Sequence, residues 1–183
     1  MEKYLLSKHE AVLVIVDIQE RLASVVQKKD SVINNCGRLI ELAKLYNIPI
    51  IVTEQYPKGL GRTVGELKSV LPDLNPIEKT NFNCCAESGF TDELDRLSRK
   101  TVILTGMETH ICVLQTCIDL LMKGYYVHLV SDAVSSRTED NWKIGIEYMR
   151  AAGAVISGTE TVLFQLLKAA GSDEFKAISK LVK

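Results

Sequence analysis

Residues 11–17 read A-V-L-V-I-V-D, a continuous apolar run rich in valine and closed by one carboxylate. A strand with one face in water alternates apolar and polar residues, so a run without a polar member is expected to be covered on both faces. Its β-branched side chains favour extended backbone over helix. The type recurs down the chain. Ile48-Pro-Ile-Ile-Val-Thr53, Thr101-Val-Ile-Leu-Thr105 and Tyr125-Tyr-Val-His-Leu-Val130 are further runs, Ala154-Val-Ile-Ser157 is shorter, and Pro76-Ile-Glu-Lys79 is a brief extended piece.

Between these runs the apolar spacing becomes helical. Asp30 to Tyr46 gathers Val32, Ile33, Leu39, Ile40 and Ala43 on one face, and Asp92–Leu97, His110–Met122, Asn141–Ala152 and Thr161–Ala169 follow. Ser172 to Val182 closes the chain, with Ser172 as its N-cap. Strand and helix alternate, which predicts an α/β fold: a three-layer, doubly wound, Rossmann-like sheet of six parallel strands in the common order 3-2-1-4-5-6. Gln55 to Asn75, holding Pro57, Gly59, Gly61, Gly65 and Pro72, is expected to be an ordered loop region over a site.

With 183 residues, 46% of them hydrophobic, the chain is expected to form a single domain over residues 1–183. Its 22 basic and 23 acidic residues leave a formal charge of −1, so neither nucleic acid nor an anionic membrane is indicated, and a small-molecule substrate fits better. The five cysteines are odd in number, without paired-ligand spacing or disulfide-scaffold density, which suggests a reducing compartment. The opening M-E-K-Y-L-L-S-K-H-E is too charged for a secretory core and no run reaches membrane-span length, so a cytoplasmic location is expected.

In open α/β sheets the ligand crevice lies beyond the carboxyl ends of the strands, where strand order reverses. Asp17 ends the first run; Cys112 follows the fourth, in T-G-M-E-T-H-I-C-V, residues 105–113. The predicted order makes strands one and four neighbours, which sets a base beside a nucleophile. A helix N-terminus at Cys112 would favour thiolate over thiol, although a small buried hydrophobe is the alternative reading of that residue. Nucleotide binding is disfavoured, because D-I-Q-E-R-L-A after the first strand lacks a phosphate-binding glycine and no Gly-Lys-Ser/Thr occurs. His110 stands two positions before Cys112, so the two side chains diverge; His128 falls inside a strand and His9 before one. None has ligand spacing, and neither metal nor cofactor is assigned.

Three segments taken together carry a family likeness: V-D-I-Q ending the first strand, the lysine of E-K-T-N-F at 78–82, and T-G-M-E-T-H-I-C-V. This ordered set resembles the isochorismatase-like cysteine hydrolase superfamily over nearly the whole chain. T-E-Q-Y-P-K-G-L-G-R-T-V at 53–64 and S-D-A-V-S-S-R at 131–137 resemble its isochorismatase domain-containing subgroup. The resemblance implies a triad of Asp17 as general base and acid, Lys79 as electrostatic partner and Cys112 as nucleophile forming an acyl-thioester. It also implies a cis peptide between Met107 and Glu108, an oxyanion hole from the N–H groups of Glu108 and Cys112, and a homo-oligomer, dimer or larger. Gln19, Gln55, Tyr56, Phe82 and His110 are candidate pocket residues, with Trp142 near the mouth; Gln19 could instead bond a loop.

Departures from the superfamily narrow the chemistry. Its nicotinamidases place an aspartate and two histidines as metal ligands after strand two, whereas Glu54-Gln-Tyr-Pro-Lys-Gly here has no histidine, which argues against zinc and nicotinamide. A cysteine nucleophile argues against isochorismate. Glu108 replaces a small residue and His110 an acidic one, and Glu108 would repel an anionic substrate if it pointed inward. Two functions are therefore expected to compete: a metal-independent cysteine hydrolase cleaving a small amide or ureide C–N bond, and a catalytically reduced family member acting as an oligomeric interaction protein.

Overall fold

Every residue of the first run is buried, because β1 (Ala11–Val16) has a strand on each edge and helices over both faces. The computed structural model describes residues 2–182. The other strands are β2 (Ile50–Gln55), β3 (Ile77–Lys79), β4 (Thr101–Met107), β5 (Tyr126–Ser135) and β6 (Val155–Ser157). All pairings are parallel and the order is β3-β2-β1-β4-β5-β6, as the alternation of runs predicts. The helices in chain order are α1 (Glu20–Ala23), α2 (Lys29–Leu45), α3 (Pro57–Leu60), α4 (Gly65–Val70), α5 (Ser88–Leu97), α6 (Leu114–Met122), α7 (Glu139–Ala151), α8 (Thr159–Leu167) and α9 (Asp173–Ser179).

The pleat divides the apolar run between two cores. Leu13 and Ile15 face the layer of α2, α8 and α9, where Val32, Ile40 and Leu163 are buried, while Val12, Val14 and Val16 face α5, α6 and α7 with Phe90, Leu120 and Met149. Full burial of one such aliphatic side chain contributes about 1.5–3 kcal/mol, so these layers fix the sheet and with it the ends of the strands.

The structure departs from the sequence reading in three places. The segment expected to be loop, Gln55 to Asn75, contains α3 and α4, and buried Leu67 pins the latter to the core. β5 continues through Ser135 instead of stopping near Val130, because Val134 and Ser135 pair with Gly106 and Met107 beyond a break in register. The helix expected from His110 begins as a π-helical turn, Thr109–Val113, and becomes α-helical only at Leu114. Gly106 makes the preceding exit from the sheet possible. Its φ is +119°, and a Cβ there would stand 2.1 Å from the Val16 carbonyl oxygen, so no other residue fits between β4 and β1.

Candidate active site

The sheet order sets the carboxyl ends of β3, β2, β1 and β4 side by side, and each contributes to one buried cluster. Asp17 follows β1 with a left-handed φ of +51°, and Lys79 is the last residue of β3. β2 lies between them and bridges them. Thr53 and Gln55, two apart and so on one face, reach to either side: Thr53 Oγ1 donates to Asp17 Oδ1 at 2.7 Å, and Lys79 Nζ donates to Gln55 Oε1 at 2.6 Å. Lys79 Nζ stands 2.7 Å from Asp17 Oδ2, an ion pair with neither side chain exposed. The ammonium also donates to the carbonyls of Asn81 and Phe82, at 3.1 and 3.2 Å. Four acceptors thus surround a group with three hydrogens, which fixes Lys79 as a cation with no N–H to spare.

Cys112, in the π-helical turn after β4, retains 5% of its surface and stands near enough to Asp17 and Lys79 for both charges to act on its thiol. The resting thiolate expected from the sequence is not what the surroundings favour. Burial pushes the thiol's pKa up, the Asp17 carboxylate adds to that, and Lys79 offsets only part. Burial likewise raises Asp17 above an ordinary aspartate despite Lys79 and Thr53. Burial lowers the proton affinity of Lys79, but the Asp17 carboxylate opposes it and the balance favours the ammonium. The arrangement at rest is a thiol beside a carboxylate that is a stronger base than usual, both facing a fixed positive charge. It can pass a proton from sulfur to Asp17 as the sulfur attacks.

Other residues singled out in the sequence lie as follows. Gln19 does not line a pocket: it is fully buried, and its amide donates to the carbonyls of Gln55 and Gly61 while accepting from Gln55 N–H. Gln55 serves Lys79, its amide nitrogen donating to the Thr80 carbonyl. Tyr56 and Phe82 are exposed at the rim, Phe82 by 54%. His110 turns from the triad, its Nδ1 3.0 Å from Ser136 Oγ, as expected of a residue two positions from Cys112. Trp142 donates to the Ser131 carbonyl and lines a separate groove with Lys28 and Asp132. His128 is a core residue, its Nε2 2.9 Å from the Lys3 carbonyl.

The Met107–Glu108 peptide bond is cis. The Glu108 side chain accepts from Arg137 N–H at 3.0 Å and Arg137 Nε at 3.1 Å, so its charge is matched and not turned on a substrate. Ile111 N–H and Val113 N–H both donate to the Glu108 carbonyl. Thr53 and Cys84 were not singled out as members of this cluster. The period of two along β2 would have placed Thr53 beside Gln55; nothing in the sequence brings Cys84 Sγ to 3.9 Å from Thr53 Oγ1. No helix among the described residues is long and apolar enough to cross a membrane, and no group of three or more His, Cys, Asp or Glu side chains among them is arranged to hold a metal ion.

Comparison with known proteins adds three relatives and a domain. Residues 11–161 match the isochorismatase domain model. The secreted isochorismatase effector Isc1 of Phytophthora sojae is 44% identical over 181 residues, 96% of this chain and 85% of that protein. A Caenorhabditis elegans structure described as MAR1 ribonuclease superposes with a TM-score of 0.90 at 40% identity, covering 97% of this chain and 92% of that one. The Escherichia coli YcaC product, described as an octameric hydrolase of unknown specificity, gives a TM-score of 0.90 at 27% identity, over 97% and 90% of the two chains. With the domain match running from the first strand into α8, the chain belongs to the isochorismatase family.

Proposed function

We propose that the chain is a metal-independent cysteine hydrolase that cleaves a small amide or ureide C–N bond through an acyl-thioester on Cys112. The observation that carries this reading is the buried Asp17–Lys79 ion pair, with the Cys112 thiol close enough for both charges to act on it. Holding two opposite charges out of water costs several kcal/mol per ion, an expense a folding role alone does not require. As the sulfur bonds to the carbonyl carbon, its proton passes to Asp17. Asp17 returns that proton to the nitrogen as the C–N bond breaks and the amine leaves. Water then attacks the thioester, giving a proton to Asp17, which passes it to the departing sulfur. Free acid and thiol result. Lys79 exchanges no proton; it stabilises the negative charge shared by Asp17 and sulfur. The N–H groups of Glu108 and Cys112, which the family resemblance implies as an oxyanion hole, are the candidate donors to the oxyanion at each tetrahedral stage.

The ribonuclease description belongs to the nematode protein. In this chain a formal charge of −1 and a triad that only the Cys112 surface opens to solvent favour a small substrate over a phosphate backbone. The same burial also motivates the competing reading, an oligomeric family member without a productive pocket. Screening small amides and ureides with the wild type beside Cys112→Ser separates the two. Turnover or a trapped acyl adduct in the wild type alone is the expected result; silence of both proteins across the panel, with Cys112 inert to electrophiles, favours the interaction protein. Self-association accompanies either reading, in keeping with the octameric E. coli relative, and light scattering after size exclusion reads it directly.

A further inference from the structure

Glu108, Thr109 and His110 are consecutive, and each is held by a different residue of one segment, Ser136 to Gly145. The Glu108 carboxylate accepts from the main chain and guanidinium of Arg137. His110 Nδ1 stands 3.0 Å from Ser136 Oγ. At Gly145 on α7, an added Cβ would lie 3.0 Å from the carbonyl carbon, oxygen and Cγ2 of Thr109, so the helix rests directly on that residue. The segment has its own anchors: Gln27 N–H donates to the Ser136 carbonyl at 3.1 Å, Ser135 Oγ to the Gln27 carbonyl at 2.6 Å, and Thr138 N-caps α7 by accepting from Asn141 N–H.

We propose that Ser136, Arg137 and Gly145 fix the position of the oxyanion-hole loop, with Arg137 as a positioning residue that acts through Glu108. The inference rests on the hydrolase reading above. It makes sense of two departures from the superfamily pattern, since Glu108 and His110 both find their partners in S-D-A-V-S-S-R, the other motif of the subgroup. Asp17 follows β1 and Lys79 ends β3, and neither lies in this segment. Disturbing it should therefore misplace the oxyanion donors while leaving the thiol and its base intact. Oxyanion stabilisation falls steeply with displacement of a donor, whereas proton loss from sulfur does not depend on it.

Two reagents separate these effects on the full chain. p-Nitrophenyl acetate acylates Cys112 through a tetrahedral oxyanion and releases p-nitrophenol; iodoacetamide alkylates the same sulfur by displacement of iodide, with no oxyanion. Arg137→Ala removes a guanidinium whose side chain is 56% exposed, keeps the main-chain donor to Glu108, and is expected to fold. Its Cys112 acylation should slow about 10- to 100-fold while alkylation stays within about twofold. Arg137→Lys should recover part of the loss, and Gly145→Ala should show the same split. Equal acylation by Arg137→Ala and wild type, or a parallel fall in both reactions, overturns the inference and leaves the hydrolase reading standing. Failure of either reagent to modify Cys112 in the wild type sinks the hydrolase reading itself, and this inference with it.

Discussion

Asp17 and Glu54 are buried carboxylates at the same end of the sheet, one strand apart, and they titrate in opposite directions. Glu54 points to the face opposite Thr53 and Gln55. Its Oε1 accepts from Thr63 N–H at 2.6 Å and Thr63 Oγ1 at 2.8 Å, and Arg62, which also pairs with Glu78, reaches Oε2 at 2.9 Å. Burial pushes Glu54 up, but the Thr63 and Arg62 donors outweigh it and hold the carboxyl below its ordinary value. Asp17 has an ammonium and a hydroxyl, yet burial prevails and its proton affinity rises. The difference assigns the roles. A carboxylate with each oxygen matched by short bonds ties Arg62 and Thr63 to β2, while one left with a raised proton affinity beside a thiol is fitted to take and return a proton.

Exchanging the two groups tests that assignment. The largest effect expected is in Asp17→Asn, which removes the base: labelling of Cys112 by iodoacetamide should slow by about 10²–10⁴, the range for general-base loss, while Glu54→Gln leaves the rate within about twofold. Lys79→Met should be the costliest change to stability. It leaves Asp17 buried without a counter-ion, for which about 3–5 kcal/mol is typical, read by urea denaturation. Glu54→Gln should cost less, about 1.5–3 kcal/mol, the range of hydrogen bonds to a charged group, and a change of similar size in labelling rate would undo the contrast.

The smallest effect, and the sharpest in sign, is on pH dependence. Glu54 titrates below its ordinary 4.5 in the fold, so its stabilisation is complete above that value and is lost as pH falls through the lower folded value. Asp17 titrates above its ordinary 3.8, so its contribution has the opposite sign: present below 3.8 and lost as pH rises through the raised value. Wild-type stability should therefore drop below pH 4.5, and Glu54→Gln should flatten that drop. Cys112 labelling should instead fall along a limb lying above 3.8, where Asp17 gains its proton, and Glu54→Gln should leave that limb in place.

Much of the fold was legible because the strands are buried on both faces. Ala11–Val16 and Thr101–Leu104 announce themselves without alternation, and crossover topology then restricts their order. The site was legible only as three separated residues. The distance between Asp17 and Lys79 depends on β2 lying between them with Thr53 and Gln55 turned to the same side, and no spacing along the chain encodes it. Gln19 read as a pocket residue because an amide suits a substrate and a backbone equally well. The short helices α3 and α4 were hidden by the glycines and prolines around them, and the thiol's protonation was misread because a positive neighbour is visible in a motif while burial is not.

Iodoacetamide labelling of all five cysteines, resolved by peptide mapping at neutral pH in wild type and Asp17→Asn, tests the shared proton most directly. Burial raises the pKa of all five thiols, Cys112 included, so ease of ionisation does not single it out; a neighbouring Asp17 able to take its proton as the sulfur reacts does, and Cys112 should react first in the wild type and lose its lead in the variant. Uniform reactivity of the five thiols, or a Cys112 rate untouched by Asp17→Asn, would contradict the account.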